Sequence, residues 1–499
     1  MKPRSATMPY CRAPPARASA VCVRVGRDRE RAVPDATLVR LSLAEAADLI
    51  QRRALSPVEL LEAVLARIAL VDARLNAFTT LVPVEDARAA ARAAEREIAA
   101  GTYRGPLHGI PAGVKDLLDT AGLRTTYGSG MFRDHVPSVD GAVPERLRAA
   151  GAIIVGKTAT HEFGRGVTTN NYFFGPTRNP WNPDHVPGGS SGGAAAATAA
   201  LMGPLHIGTD GGGSARIPAA FCGVVGLKPT LGLISNRGHT GGGDSSFSVP
   251  GPLARTVRDA AIVAQAIAGF DPAYAYSRPG PVPDLLQDLE AGVDGLRIGT
   301  SRDALRPQPD AAVDAAYAAT RDRLAALGAR VVDVRLPHHD LVLPVVLAVF
   351  AVEGEVALEA RLGGRPRLFS PQVARVREMM PPGDAASWMS TQRQRQLVCR
   401  DYAAAFVEVD ALVLPTTPFP APRIDGDETR LAGLCAAYTG AANLTGLPAV
   451  AIPAGSSDGL PVGVQIVAPA GRDALALRIA RALEKTAAEH RVHPPPDGG

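Results

Sequence analysis

From Leu41 onward the chain is patterned. The segments LSLAEAADLIQRRALS and SPVELLEAVLARIALVDARLNAF place apolar residues every three or four positions, which predicts two helices with one face on a core. Ser56 followed by Pro57 supplies an N-cap and a first-turn proline to the second. A third, Ala- and Arg-rich helix is predicted over 85–100 and a fourth around 143–149. In TVRDAAIVAQAIAG, Thr256 with Asp259 three residues on predicts a capping box, and a last helix is expected over 473–489. Between these lie short apolar runs: LHGIPAGVKDL (107–117), AGAIIVGKT (150–158), GLRIGTS (295–301), ARVVDVRL (329–336), ALVLPT (411–416), PAVAIP (448–453) and VGVQIVAP (462–469). They read as buried strands. Helices alternating with Val- and Ile-rich strands predict an α/β fold, a single large domain with a mixed, largely parallel β-sheet core covered by helices on both faces.

No fixed-period repeat and no internal linker interrupts this pattern, so one domain is expected over 39–490. Residues 1–38 mix Pro, Arg and Ala without the apolar run of a secretory signal and read as a disordered extension, as do 491–499 as a tail. With 46% hydrophobic residues in 499, the chain can bury a large core. The net charge of +4 is mild and the arginines are scattered along helices, so no nucleic-acid surface is expected. The longest apolar run, 341–352, is interrupted by Pro344 and is short for a bilayer, so no membrane is expected either. Five cysteines (Cys11, Cys22, Cys222, Cys399, Cys435) form no CxxC pair. Neither a disulfide framework nor a zinc site is indicated, and reduced thiols point to a cytoplasmic protein.

The candidate chemistry lies in one stretch, VPGGSSGGAAAATAALMGPLHIGTDGGGSARIPAAFCGVVGLKP (186–229). It holds two glycine–serine clusters separated by a segment long enough for one helix. Glycine rows let backbone N–H groups converge on an anion, and Ser214 ends such a row. Nucleophile and oxyanion donors in one short segment is what acyl transfer needs. Taken alone, Ser214 reads equally as a turn serine, Ser190 and Ser191 as a flexible loop, and Lys115 as a solvated lysine. A phosphate loop is not read in this stretch, because no GxxxxGK[ST] occurs within 186–229. HExxH is absent; His108, His161, His206 and His239 lie near the motifs, and His206 reads as a packed histidine.

Together the motifs resemble the amidase signature family. Lys115–Asp116, FGPTRNPWNP (174–183), PGGSSGG (187–193), GTDGGGSARIPAAFCGVVGLKPT (208–230), GPLARTVRDA (251–260), ALVLPTTP (411–418) and NLTGLPAVAIPAG…DGLPVGVQIV (443–467) match it in content and spacing, over 41–489. The resemblance implies a Ser–cis-Ser–Lys triad: Ser214 as nucleophile, Ser190 as bridging residue, Lys115 as base. The N–H groups of Gly211, Gly212, Gly213 and Ser214 would form the oxyanion hole, Ser191 would support them, and Asp210 with Arg216 would be a structural pair. It implies no metal and no organic cofactor. Ala215, Ala194 and Gly211 stand where the family more often has isoleucine, serine and threonine, and the glycine tract 241–243 is unusual; none of these removes a catalytic group.

For the substrate, the segments that form the pocket in relatives are apolar here, with Tyr127, Met131, Tyr172, Phe173, Phe350 and Phe419 as candidate wall residues. They point to a small apolar or aryl amide, with that small molecule as the only partner and a homodimer as an option. Alternatives are a glutaminase resembling the A subunit of a glutamyl-tRNA amidotransferase, a carbamate or ester hydrolase, and a catalytically inactive binding protein. Against the first, 375–398 lacks the Gly-Tyr-Tyr-rich helix of those subunits; against the last, all three triad residues are present.

Overall fold

The first two predicted helices form as Leu43–Gln51 and Pro57–Leu75, and their caps explain where they start. Ser56 Oγ accepts from the Val58 N–H at 3.0 Å, and Glu59 accepts from the Ser56 N–H at 3.0 Å, so two of the end donors are satisfied reciprocally. The box expected at Thr256 is half made. Thr256 Oγ1 accepts from the Asp259 N–H at 3.1 Å, but Asp259 accepts instead from the Ala44 N–H at 2.9 Å. The carboxylate thereby ties the helix Val257–Ile267 to the start of the first helix.

The computed structural model describes residues 37–240, 245–379, 381–486 and 494. The extension up to residue 36 with Cys11 and Cys22, the tract 241–243, and the tail except residue 494 lie outside the described residues.

Eleven strands build one sheet. In spatial order they are Phe78–Leu81, Ile153–Thr158, Pro111–Lys115, Leu205–Asp210, Val249–Ala254, Val225–Lys228, Ala449–Ser457, Leu460–Val467, Ala411–Pro415, Arg297–Thr300 and Arg330–Asp333. The sheet is mixed, as expected, but the parallel ladders are confined to its two flanks. Pro111–Lys115 runs parallel to both of its neighbours, and so does Arg297–Thr300. The middle is antiparallel. Its simplest unit is the hairpin of Ala449–Ser457 and Leu460–Val467, closed by Asp458 and Gly459, both with positive φ. Such short connections permit only antiparallel pairing.

Alternate residues of one strand enter different cores, which shows that both faces are covered. Val413 and Val450 join the largest cluster, while Leu412, Leu414 and Ala449 join a second one under the helices Val342–Leu362 and Ala385–Glu408. Pro344, expected to break the run 341–352, sits in the first turn of Val342–Leu362, where no N–H is needed. That helix is long and apolar enough to cross a membrane by composition, yet Val342, Val345, Val346 and Val349 are buried in the second core.

Candidate active site

Lys115 ends a fully buried strand whose Ala112 and Val114 enter the largest core. By strand alternation its side chain leaves from the opposite face. There Nζ stands 2.7 Å from Ser190 Oγ, 2.7 Å from Ser191 Oγ and 2.9 Å from Thr209 Oγ1. Burial pushes the ammonium well below the usual lysine range, and the charge of Asp210 only partly opposes it.

Ser190 follows a cis Gly189–Ser190 peptide and, with Ser191, leads into the helix Gly192–Ala199. A side chain at Gly193 would run into the backbone of Ala77 and Ala159, so glycine is required for this close packing. Ser191 Oγ donates to the Thr209 carbonyl at 3.1 Å and accepts from the Thr209 N–H at 3.2 Å. Its one hydrogen is therefore spent, and toward Lys115 it can only accept.

Ser214 lies in the turn between Leu205–Asp210 and the helix Arg216–Cys222, and its carbonyl accepts from the Ser191 N–H at 3.2 Å. The two serine loops are thus laced together. Gly213 has φ 118°, and any side chain there would strike Thr439, which itself donates to the Gly212 carbonyl at 2.5 Å. The expected row of oxyanion donors needs one correction. The Gly213 N–H already donates to Asp210 Oδ1 at 2.8 Å, so Gly213 shapes the turn and Gly211, Gly212 and Ser214 remain as candidate donors.

Asp210 and Arg216 pair at 2.9 Å and 3.0 Å with neither side chain exposed. Arg216 also donates to Gln465 and Asn443 at 2.7 Å each, and Asn443 donates to Asp210 Oδ1 at 3.0 Å. Burial alone would raise the Asp210 carboxyl, but the guanidinium and these donors outweigh it and hold the group below the usual carboxylate range. Every arm of the pair is satisfied, as a buried ion pair requires. His206 is packed over Gly113 and stands 3.0 Å from Thr198 Oγ1; burial pushes its imidazole down to about 3.

Ser214 and Gly212 open into a cavity of about 600 Å³. Val346, Leu347 and Phe350 form one wall, Ala432, Gly433 and Ala436 another, and Gln372, Arg375, Val376 and Met379 a third. His161, Arg165, Asp427 and Glu428 add polar groups. Of the six aromatic and methionine candidates only Phe350 lines it. Tyr127 and Met131 belong to a separate apolar cluster, Tyr127 donating to Asp119 at 2.6 Å. Tyr172 is 61% exposed and sits edge-on to Phe173, and Phe419 stacks on Phe221 in another cluster. Their rings serve packing. Thr209, Thr439, Asn443 and Gln465 were not singled out from the sequence; Thr209, Asn443 and Gln465 lie within the motifs that carry the family resemblance, whereas Thr439 lies outside them.

A family profile described as Amidase matches residues 59–477. The A subunit of a glutamyl-tRNA(Gln) amidotransferase from Roseiflexus sp. (strain RS-1) is 40% identical over 490 residues, covering 92% of this chain and 98% of that one. Among solved structures, a chain from a vestigial protein complex bearing on the origins of an s-triazine catabolic enzyme is 34% identical, with a TM-score of 0.83 and coverage of 90% and 99%. A bacterial aryl acylamidase is 28% identical, with a TM-score of 0.84 and coverage of 92% and 99%. These relatives correct the expectation of an enzyme partnered only by a small amide and at most by a second copy of itself. The first is by name one subunit of an amidotransferase, and the second comes from a complex. The profile and the full-length relatives agree with the motifs and the fold: the chain belongs to the amidase signature family, whose members are hydrolases of carbon–nitrogen bonds.

Proposed function

We propose that the chain hydrolyses the side-chain amide of glutamine through an acyl-enzyme on Ser214, as the amidase subunit of an amidotransferase working in the cytoplasm. The chemistry rests on one observation, the buried Lys115 amine among three hydroxyls. The substrate rests on the full-length likeness to the amidotransferase relatives.

An exposed lysine, with a pKa near 10.4, is protonated at neutral pH and cannot act as a base. Burial favours the neutral amine, which has two hydrogens and one lone pair. Ser191 can only accept, so Lys115 donates to it. Donation to Thr209 uses the second hydrogen, and the lone pair is left for the Ser190 hydroxyl. Ser190 passes its proton to Lys115 as it takes the proton of Ser214, whose oxygen attacks the amide carbon. The oxyanion is met by the N–H groups of Gly211, Gly212 and Ser214, each worth about 3 kcal/mol of barrier. As the C–N bond breaks, the proton returns through Ser190 to the leaving nitrogen and ammonia departs. Water, activated by the same relay, then attacks the acyl-Ser214 ester and releases the carboxylic acid.

Arg375 and Gln372 at the cavity wall are donors suited to the carboxylate of an amino acid. The test is ammonia release from L-glutamine by the purified chain, with and without added partner subunits. We expect Ser214→Ala to lower it by roughly 10³–10⁶-fold. The largely apolar wall of Val346, Leu347, Phe350 and Ala436 favours a second reading, an amide with a bulkier apolar or aryl acyl group. Turnover of aryl amides with no glutamine turnover under either condition would replace the first reading by the second.

A further inference from the structure

Among the polar groups of the cavity lining, a histidine and a carboxylate stand side by side. His161 is 2% exposed and lines the cavity, and its ring is clamped over Gly166, where any side chain would collide with it. Its Nδ1 lies 3.2 Å from Glu428 Oε1, yet off the hydrogen-bonding line, and it is a buried polar atom without a hydrogen-bond partner. Leaving such an atom unpaired carries the desolvation penalty of a buried polar group. Glu428 accepts from Thr168 Oγ1 at 2.5 Å, again on Oε1. Both neighbours crowd one carboxylate oxygen, and Oε2 is turned to neither. Asp427 next to it caps the helix Glu428–Leu444, its Oδ1 accepting from the Thr429 and Arg430 N–H groups.

We propose that Glu428 and His161 form a specificity-determining subsite that takes an amino group carried on the acyl part of the substrate. An ammonium brings three N–H donors and a positive charge. Glu428 Oε2 and an imidazole nitrogen are acceptors that match it, and the surrounding apolar wall strengthens the contact by excluding water. A plain acyl chain would leave the buried His161 Nδ1 unpaired, and discrimination against a substrate lacking the matching polar group is the strong kind. The inference deepens the proposed reaction and rests on the cavity being the acyl site of Ser214, but it does not require glutamine.

The test is binding, by calorimetry, to the Ser214→Ala protein. Two matched pairs serve as probes: L-glutamine with its des-amino analogue glutaramate, and phenylalaninamide with 3-phenylpropanamide. In at least one pair the amino-bearing member should bind ten-fold or more tighter. Glu428→Gln and His161→Phe, introduced separately on different elements, should each bring that ratio to about one. A preference seen only in the second pair sinks the glutamine reading and keeps the subsite. Equal affinities in both pairs, or a ratio that survives both substitutions, overturn the subsite.

Discussion

At the scale of single residues, the site depends on groups held in their costly forms. Lys115 has its folded pKa far below the 10.5 of a free lysine. Between those two values the unfolded chain binds a proton that the folded chain does not, so stability rises with pH across that window and falls as pH drops. Lys157, lowered by burial to about 8, and Lys228, lowered by burial to about 7, add slopes of the same sign. Lys115→Met removes one of the three. In urea unfolding at pH 8, 9 and 10, the stability of the Met variant minus that of the wild type should grow by about 1 kcal/mol per unit as pH is lowered. A pH-independent difference would mean that Lys115 is not buried neutral. Arg216 is the opposite case, a charge that another charge needs. Arg216→Met leaves Asp210 buried with no countercharge, and chemical denaturation should show a loss of about 3–5 kcal/mol. The triad candidates Lys115, Ser190 and Ser214 and the Asp210–Arg216 pair were marked by the resemblance to the amidase signature motifs, since each triad residue taken alone reads as a solvated, loop or turn residue. The place of five of the six wall candidates was not legible, since size and apolarity favour burial of a side chain but do not say which cavity or cluster receives it. Tyr127 shows this well: its hydroxyl is bound to Asp119, and it packs edge-on to Phe132.

At the scale of elements, capped helices and Val-rich strands were readable, because both signals are local. The sheet's antiparallel centre was not, because Val225–Lys228 and Val249–Ala254 contain Gly or Pro and give no strong alternation. The helix Glu428–Leu444 carries more of the site than its plain sequence announces. Thr439 holds the Gly212 carbonyl, and Asn443 donates to the Asp210 carbonyl at 2.9 Å and to the Phe247 carbonyl at 3.0 Å. One face of one helix therefore grips the 210–213 turn at several points. Thr439→Val keeps the shape and removes the hydroxyl, freeing the turn to move by the fraction of an ångström that misaligns an oxyanion donor. Steady-state kinetics should show kcat down by about ten-fold with KM shifted by less than about three-fold, the mark of an interaction made in the transition state. A change confined to KM would assign Thr439 to substrate binding instead.

At the scale of the whole molecule, the sheet supplies the chemistry and the helices beyond it supply the cavity. Lys115 and Asp210 end two adjacent parallel strands, so base and serine turn share one edge of the sheet. Facing them, the helix Pro371–Met379 buries only Val373 and has little apolar anchorage of its own. Ion pairs fasten it. Arg165, 7% exposed in its side chain, binds Glu355 at 3.1 Å, and the other oxygen of Glu355 binds Arg377. A second tether runs from the Ser370 N–H to Glu162 at 3.0 Å. Glu355 thus joins the loop that carries His161 and Arg165 to the wall that carries Arg375. Burial already disfavours the charge on Arg165, with Glu355 opposing that effect, so Glu355→Gln leaves a poorly solvated guanidinium without its counterion. The wall should then loosen while the triad, held by the strand of Lys115 and the laced serine loops, stays in place. We expect KM to rise about ten-fold with kcat within about three-fold for whichever amide the wild type turns over. The parallel prediction is structural. Amides of the helix Pro371–Met379 should exchange hydrogen faster in Glu355→Gln, while those of Leu205–Asp210 keep their wild-type protection. A fall in kcat without a rise in KM, or faster exchange spread through the central strands, would show that Glu355 supports the catalytic turn rather than the wall.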